Sequence, residues 1–151
     1  MWDRRQLIAA LTLIPALASP SARAQPAEQP MPGMPGMQPG TMTAQSCIES
    51  CWQSHVMCLQ TERYCMEMDG MHSTAAHLTL LADCAAMCET TADTLLRRSA
   101  QHAAICIACA QLCDSCAADC EAFRGDARML ECARTCRGCA EHCRAMSKQE
   151  I

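Results

Sequence analysis

Aromatic side chains are almost absent from this sequence: its 151 residues include two Trp, one Tyr and one Phe. Most domains of this size fill their core with large side chains, so smaller residues must fill the interior here. Alanine and cysteine supply most of the apolar residues, and the fifteen cysteines are about one residue in ten. Cysteine at this density is typical of a disulfide or metal scaffold and not of an ordinary cytosolic enzyme.

Positive charge is also scarce. Twelve Lys and Arg stand against sixteen Asp and Glu, which gives a formal net charge of −4. A protein that binds nucleic acid needs a basic surface, so we expect no nucleic-acid partner. The sequence also lacks a glycine-rich phosphate loop and a nucleophile–base pair of known spacing. We therefore expect no catalytic activity.

The first 24 residues have the pattern of an export signal. Arg4 and Arg5 precede an apolar run over residues 7–18, and Ala22-Arg23-Ala24 is a small-x-small cleavage site. The run is too short to span a bilayer as a helix. We predict a Tat-type signal over residues 1–24, a periplasmic location and no membrane association after cleavage; an uncleaved Sec signal or membrane anchor is the alternative. Because Tat exports folded proteins, this route protects reduced thiols during export.

Residues 25–42 have the composition of a linker. All seven prolines of the chain lie at or before Pro39, and three of its six glycines fall in this segment. Such a density of Pro and Gly prevents a packed element. Methionine repeats through the segment as Met-Pro-Gly-Met-Pro-Gly-Met, so a weak thioether site for a soft metal is one interpretation. We favour a disordered spacer.

Proline is missing from residues 41–151, and its absence over such a length indicates helix. We predict an all-α domain over residues 43–151, with four helices, short loops and therefore an antiparallel up-down-up-down bundle. The sequence from Ser46 to Glu49 resembles a capping box, and a Ser or Asp precedes each later helix. The predicted helices run from Ser46, or from Thr43, to Asp69, from Ser73 to Arg97, from Ser99 to just before Gly125, and from Asp126 to Lys148.

The cysteines follow helical spacing within each predicted helix. Successive cysteines are three, four or seven residues apart, which places those of one helix in a stripe narrower than about 90°. Such stripes face the middle of a bundle. We predict that all fifteen thiols line one shared core and act as metal ligands. They are Cys47, Cys51, Cys58, Cys65, Cys84, Cys88, Cys106, Cys109, Cys113, Cys116, Cys120, Cys132, Cys136, Cys139 and Cys143.

Several thiol chemistries fit this arrangement poorly. A disulfide staple needs two bridges, and an odd number of cysteines cannot pair completely within one chain. The C-x-x-C-H motif of haem c and the C-x2-C-x2-C-x3-C motif of iron–sulfur proteins are absent. Zinc requires four ligands at a tetrahedron, and stiff parallel stripes offer few such points. A disulfide-stapled helical module that binds a partner protein and a zinc or mixed-metal thiolate buffer are the alternatives.

Copper(I) fits the stripes best. It is a soft ion that prefers thiolate ligands, and two or three of them satisfy it. Because a thiolate can bridge two ions, fifteen cysteines can hold on the order of fifteen Cu(I) ions. Fifteen buried thiolates alone would carry a prohibitive charge, whereas an equal number of Cu(I) ions neutralises them, since each ion replaces a proton. We predict a periplasmic reservoir that binds many Cu(I) ions per chain.

These features resemble the copper storage protein family (Csp), in its exported, Tat-dependent branch. The resemblance covers about residues 43–148 and implies a four-helix bundle that stores many Cu(I) ions, often as a tetramer of bundles, without catalysis. A homo-oligomer and a copper-accepting partner protein are therefore expected. The second helix has fewer cysteines than the resemblance implies. The motifs that carry it are Cys106-x2-Cys109-x3-Cys113-x2-Cys116-x3-Cys120 and Cys132-x3-Cys136-x2-Cys139-x3-Cys143.

Other soft ligands fall on the same stripes near the ends of the predicted bundle. We predict that His77 and His102 bind metal at ports where copper is taken up or released, with ordinary polar capping of the bundle ends as the alternative. The remaining histidines, His55, His72 and His142, are predicted to be solvated. One end is predicted to gather His77, Cys65, Cys120, Met129 and Cys132, and the other His102, Cys47, Cys143 and Met146.

Overall fold

The computed structural model describes residues 42–151, which form four α-helices and no strand. A short 3-10 helix, Gly70–Ser73, lies between the first two α-helices. The predicted signal, residues 1–24, and all but the last residue of the predicted linker, residues 25–42, lie outside the described residues. The α-helices are α1, Ala44–Met66; α2, Ala75–Leu96; α3, His102–Glu121; and α4, Ala127–Met146.

The four helices pack in the order of the chain, and α1 also packs against α4, which closes the bundle. Contacts at one end fix the helix directions. Cys65 near the end of α1 contacts His77 at the start of α2 and Met129 at the start of α4. His77 also contacts Asp119 near the end of α3. Neighbouring helices are therefore antiparallel, and the predicted up-down-up-down bundle is confirmed.

Helix α3 is the one helix in residues 42–151 that is long and apolar enough to cross a membrane, with a mean hydropathy of 1.4. Its five cysteines are all buried inside the bundle. Cysteine and alanine raise the hydropathy of this helix, and both are used here to fill a protein core.

The start of α1 differs from the predicted capping box over Ser46 to Glu49, which is wrong. Thr43 is the N-cap, and the box consists of Thr43 and Ser46. The Ser46 N–H donates to Oγ1 of Thr43 at 3.1 Å, and the Thr43 N–H donates to Oγ of Ser46 at 3.0 Å. This start, the second of the two predicted, adds most of a turn. Cys47 then lies one turn into the helix, and 1% of the residue is exposed.

The predicted cap Ser73 is wrong, and Ser99 is not the N-cap of α3, although its Oγ accepts from the Gln101 N–H at 3.2 Å in the turn before that helix. Ser73 belongs to the 3-10 helix, and α2 begins after Thr74 without a side-chain cap. The carbonyl of Ser99 accepts a hydrogen bond from the His102 N–H in a tight turn before α3. Both serines lie in segments where the chain reverses direction between antiparallel helices. Gly70, between α1 and α2, and Gly125, between α3 and α4, have φ values of 73° and 86°, a region that favours glycine, whereas Arg98 has a φ of 49° in the turn between α2 and α3.

The predicted cap Asp126 is confirmed, and it connects three elements. Its Oδ1 accepts from the N–H groups of Arg128 and Met129, at 2.9 and 3.1 Å. Its Oδ2 lies 3.0 Å from the Tyr64 hydroxyl, which donates to it, and 3.0 Å from Nε2 of His72. Burial opposes the charge, but these hydrogen bonds together hold the pKa of Asp126 below its ordinary value.

Replacing Asp126 with Ala should lower the free energy of unfolding by about 2 kcal/mol, because an N-cap and a half-buried hydrogen-bond acceptor for Tyr64 are lost together. Since the pKa of Asp126 is lowered on folding, its contribution is complete above about pH 4 and is lost as the pH falls through the folded-state pKa. Urea unfolding of the metal-free protein measures both effects. Asp93→Ala is the control, since the exposed Asp93–Arg97 pair contributes less than about 1 kcal/mol. Equal losses in the two variants would contradict the assignment.

Candidate metal centre

Six residues of each helix face the bundle axis at alternating spacings of three and four residues, and this set is called the seam. The spacing keeps one face of each helix turned inward along its length. The seam contains all fifteen cysteines, each at most 1% exposed, so the predicted shared core is confirmed. The seam residues are Cys47, Cys51, Ser54, Cys58, Thr61 and Cys65 in α1; His77, Leu81, Cys84, Cys88, Thr91 and Leu95 in α2; His102, Cys106, Cys109, Cys113, Cys116 and Cys120 in α3; and Met129, Cys132, Cys136, Cys139, Cys143 and Met146 in α4.

All of the thiols except Cys65 lie in five clusters, within each of which the sulfur atoms are no more than 4.8 Å apart. Neighbouring clusters share thiols or touch. One pair of neighbouring clusters has no thiol in common, and there Cys84 of one cluster lies 3.7 Å from Cys113 of the other. The result is a continuous chain of sulfur along the bundle axis. In order, the clusters are Cys116, Cys120 and Cys132; Cys58, Cys84, Cys116 and Cys136; Cys88, Cys109, Cys113 and Cys139; Cys51, Cys109, Cys139 and Cys143; and Cys47, Cys106 and Cys143.

The spacing of the sulfur atoms suits metal ions and not disulfides. All fifteen cysteines are free, and their closest sulfur contacts include 3.5 Å between Cys88 and Cys113 and 4.0 Å between Cys139 and Cys143. A disulfide bond is only about 2.05 Å long. A metal–sulfur bond of about 2.3 Å separates two thiolates on one ion by about 3.8 Å in a tetrahedron and about 4.0 Å in a trigonal plane. The closest sulfur pairs therefore stand near the distances that a shared metal ion requires, and the other pairs within a cluster are at most 4.8 Å apart.

Hydrogen bonds between neighbouring thiols raise the pKa of some seam cysteines and lower that of others, such as Cys84 and Cys109, while burial disfavours charge on all of them. Hydrogen bonds to neighbouring thiols, together with burial, raise the pKa of Cys58 and of Cys143. Burial raises the pKa of Cys65 to about 11. These thiols are protonated at neutral pH, which avoids the cost of buried charge. Each metal ion that binds must displace protons, so metal affinity falls as the pH falls.

Within the seam, hydroxyl and apolar side chains stand in place of cysteine mainly in α1 and α2. Ser54 donates to the carbonyl of Thr135 at 3.2 Å, and Thr91 donates to the carbonyl of Met87 at 2.7 Å. The Oγ1 of Thr61 is buried and has no hydrogen-bond partner. Thr61 lies at the level of Cys132, because Cys58 meets Cys136 one turn before it and Cys65 meets Met129 one turn beyond it.

Three different soft ligands meet at the end where α2 begins; Cys65, His77 and Met129 are called the end site. The Sγ of Cys65 lies 3.4 Å from Nε2 of His77 and 3.6 Å from Sδ of Met129. All three residues are at most 3% exposed. Cys120 and Cys132, predicted for the same end, cluster with Cys116 instead. A thiolate, an imidazole and a thioether together form a ligand set that suits a soft ion such as Cu(I).

The opposite end is arranged differently. Cys47 and Cys143 cluster with Cys106, and Met146 is buried. His102 lies in none of the clusters found among the described residues. Its Nδ1 is 3.1 Å from the Ser99 carbonyl oxygen, and its Nε2 is 2.8 Å from that of Gln149. Both ring nitrogens of His102 thus face backbone acceptors, and the histidine ties the C-terminal segment to the start of α3.

The three histidines predicted to be solvated are instead half-buried and hydrogen-bonded. Nδ1 of His55 lies 3.0 Å from the Ala85 carbonyl oxygen, and Nδ1 of His142 lies 2.8 Å from that of Gly138. Nε2 of His72 contacts Asp126. The prediction failed because helix periodicity reports which face points to the axis and not which flanking residues a neighbouring helix covers.

Two residues beside the end site could not be assigned to it from the sequence. Asp119 hydrogen-bonds Nδ1 of His77, and the ring of Phe123 lies 4.7 Å from that of His77. Phe123 also lies 4.5 Å from the ring of His72. The one signal for Asp119 is its position directly before Cys120, at the edge of the cysteine stripe of α3.

Residues 41–148 match the profile of a family described as Csp, copper storage protein. The crystal structure of the Nmul_A1745 protein from Nitrosospira multiformis is 40% identical to this chain, with a TM-score of 0.65, over 70% of this chain and 94% of that one. The Cu(I)-bound copper storage protein BsCsp3 is 28% identical, with a TM-score of 0.65, over 69% and 97% of the two chains. A curated relative, the uncharacterized cysteine-rich protein YhjQ of Bacillus subtilis (strain 168), is 29% identical over 77 residues, which are 51% of this chain and 71% of that protein.

The matched range includes all four helices and every residue of the seam. The resemblance noted from the cysteine runs of the third and fourth helices is thereby confirmed over most of the chain. A bundle of four antiparallel helices, a core of free thiols and a profile match over residues 41–148 agree with one another: the chain belongs to the copper storage protein family.

Proposed function

We propose that this protein is a reservoir for many Cu(I) ions, held by the thiols of the seam, and that it catalyses no reaction. The continuous chain of buried sulfur carries the proposal, because it offers one ligand set after another along the bundle axis. The solved structure of BsCsp3, which shares the fold, contains Cu(I). With about one ion per thiolate, the capacity is on the order of fifteen Cu(I) ions per chain.

The cluster sizes favour Cu(I) over zinc. Two of the five clusters contain only three thiols, and the larger ones share members. Three thiolates complete the coordination of Cu(I), whereas zinc needs a fourth ligand at a tetrahedral position. The free state of all fifteen cysteines also gives no support to the disulfide-stapled module.

Titration of the reduced protein with Cu(I), against a chelator of known affinity and with a count of free thiols, tests this proposal. A breakpoint above about ten ions per chain, with all fifteen thiols titratable beforehand, is expected. Two free thiols or fewer and no copper uptake would indicate the stapled module instead. Preferential retention of zinc under competition would indicate a zinc or mixed-metal buffer.

The proposed reservoir is periplasmic, exported by Tat and in exchange with a copper-accepting protein. Arg4, Arg5 and the small-x-small site at residues 22–24 support the export route. Replacing both arginines with Lys should keep the protein out of the periplasm, and immunoblots of fractionated cells would measure this. Periplasmic accumulation of the variant would exclude Tat export and point to a Sec signal.

A homo-oligomer is part of the proposal, and the outer face of α1 supports it. Trp52, Val56 and Leu59 are 37%, 48% and 44% exposed. A groove of about 480 Å³ lies beside them, lined in part by Met57 and Gln60. Apolar side chains grouped on a surface in this way are typical of an interface between subunits. Light scattering of the mature protein and of Val56→Glu should give an assembly and a smaller species, respectively.

Copper is proposed to exchange with solvent at the end site rather than at the end near His102. His77→Ala should slow the loss of copper to an external chelator severalfold, because an ion leaving the thiols loses the ligand that would bind it on its way to solvent. The capacity should fall by at most about one ion. His102→Ala should leave the rate unchanged, since both of its ring nitrogens face backbone carbonyls. Stopped-flow release kinetics measure both variants. Equal rates in wild type and His77→Ala would rule out this exchange route.

Thr61→Cys should increase the capacity for Cu(I) by about one ion. The new thiol would fill a gap in the α1 seam between Cys58 and Cys65. It also removes a buried hydroxyl that has no partner, so the metal-free variant should be at least as stable as the wild type. Cu(I) titration and urea unfolding give the two readouts. Thr90→Cys is the control, because Thr90 is exposed on the outer face of α2 and its thiol would stand apart from the seam; an equal gain there would contradict the prediction.

A further inference from the structure

The two ring nitrogens of His77 have different partners. Nδ1 is hydrogen-bonded to a carboxylate oxygen of Asp119, and Nε2 lies 3.4 Å from the sulfur of Cys65. A carboxylate oxygen can only accept, so the proton of a neutral imidazole must be on Nδ1. Nε2 then has a free lone pair, and it points to Cys65, which itself lies 3.6 Å from the sulfur of Met129.

We propose that Asp119 is a positioning residue of the end site: it holds His77 in the Nδ1–H tautomer, with the Nε2 lone pair available to a Cu(I) ion shared with Cys65 and Met129. This inference rests on the proposed storage of copper. A carboxylate on the remote nitrogen of a metal-binding histidine fixes the ring orientation and increases the basicity of the ligating nitrogen. The geometry of the metal-free protein already has this form.

Without Asp119, the opposite tautomer becomes available to His77. Nε2 would then carry the proton and could donate it to the sulfur of Cys65, which is a weak acceptor. That arrangement blocks the nitrogen that faces the other two ligands. Asp119 therefore decides whether the end site presents three ligands to copper or two.

Two neighbours of His77 have different effects: Asp119 determines the tautomer, and Phe123 restricts the plane of the ring. His77 is 3% exposed, and the Asp119 side chain is 39% exposed, so the carboxylate has water on one side and the imidazole on the other. The Phe123 ring packs against His77 at a centroid distance of 4.7 Å. Phe123 limits rotation of the imidazole but offers no hydrogen-bond acceptor to either nitrogen.

His102 shows what a seam histidine looks like without such a carboxylate. Both of its ring nitrogens face backbone carbonyl oxygens, of Ser99 and of Gln149. A hydrogen bond to either carbonyl uses one nitrogen as a donor, and the other carbonyl covers the second nitrogen. Neither nitrogen of His102 is directed at a thiol, so the same residue type at the same depth is structural at one end and a ligand at the other.

The tautomer can be tested in the metal-free protein. Nitrogen NMR of reduced, ¹⁵N-labelled wild type at about pH 8, where free imidazole is neutral, should give a protonated Nδ1 and an unprotonated Nε2 for His77. In Asp119→Ala, the His77 signals should shift toward those of the other tautomer or of a mixture. Asp119→Asn keeps an acceptor oxygen and should restore part of the wild-type pattern. A protonated Nε2 in the wild type would overturn the inference, whatever the protein does with copper.

Copper binding supplies the second test. Asp119→Ala should weaken the end-site copper about tenfold or more, the usual effect of losing such a partner, as measured by chelator competition and by the response of His77 Nε2 to Cu(I). The double variant His77→Ala/Asp119→Ala should match His77→Ala, because Asp119 acts through His77. Asp114→Ala is the matched control, since Asp114 also lies on α3 but pairs with Arg137 and Arg144 on the surface.

The outcomes separate this inference from the storage proposal. If the protein takes up many Cu(I) ions but Asp119→Ala behaves like Asp114→Ala in both measurements, the role of Asp119 is refuted and storage stands. If Asp119→Ala weakens copper further in a His77→Ala background, Asp119 acts directly on the ion or the fold, and the inference is also refuted. If no copper is bound at all, the storage proposal fails, while the NMR result still decides the tautomer.

Discussion

Loading the reduced protein with Cu(I) should raise its melting temperature by more than about 20 °C. A ligand that binds only the folded state at 1,000 times its dissociation constant stabilises by about 4 kcal/mol, and 1 kcal/mol shifts the melting temperature by about 4–8 °C in a domain of 60–100 residues. Several tight sites therefore act together on one bundle. We expect a low melting temperature for the metal-free protein, because its largest fully buried side chains include only one Leu and two Met. Calorimetry of the metal-free and loaded forms measures the difference.

The expected rise in melting temperature depends on the copper being bound in the core. Copper bound at surface methionines such as Met66 and Met71, which are 56% and 68% exposed, would bind folded and unfolded chains alike and stabilise neither. The loaded protein should also return to the low melting temperature when a strong chelator removes the copper. Equal melting of metal-free and loaded protein would mean that the metal lies outside the core.

Replacing Cys113 and Cys116 with Ala should lower the Cu(I) breakpoint by about two ions. Cys113 lies 3.5 Å from Cys88 and 3.7 Å from Cys84, and Cys116 belongs to two clusters. The double variant thus removes ligands at the middle of the sulfur chain. Helix content should be nearly unchanged, because Ala has the highest helix propensity. Titration against a chelator and circular dichroism provide the two measurements.

Ser54→Ala is the matched control for these substitutions. Ser54 is a fully buried seam residue like the two cysteines, but it donates to the Thr135 carbonyl and offers no thiol. Its replacement should reduce stability by about 1 kcal/mol and leave the breakpoint where it was. A breakpoint that is unchanged in the double cysteine variant, or lowered equally in Ser54→Ala, would show that the central thiols are not ligands.

Most of the fold could be predicted because two features of the sequence agree. The lack of proline after Pro39 permits long helices, and the cysteine spacings of α3 and α4 mark one face of each helix. Gly70 and Gly125 mark reversals that the backbone confirms with positive φ values. Helix starts were harder. Ser46, Ser73 and Ser99 all have the chemistry of a cap, but the position at which a chain enters a helix also depends on how the loop closes.

One part of the candidate site could be predicted from the sequence, and another part could not. The identity of the thiols as one set follows from spacing alone, since a stripe of cysteine on each of four antiparallel helices has one common destination. Their grouping into clusters depends on the stagger between helices, which the sequence does not encode locally. That stagger brings Cys65 to His77 and Met129 while Cys120 and Cys132 join Cys116.

The sequence by itself determined that this protein is a helical bundle with thiols in place of a conventional core, because helical periodicity is a property of each segment alone. It also carried the motifs by which the family is recognised. Only the tertiary structure decided which groups surround the two seam histidines. His77 and His102 have equivalent positions on their stripes, yet one nitrogen of His77 is held by Asp119 and the other faces Cys65, whereas His102 faces two backbone carbonyls. The partners of a side chain come from other helices and from the C-terminal segment, and their distances are fixed only when the elements pack.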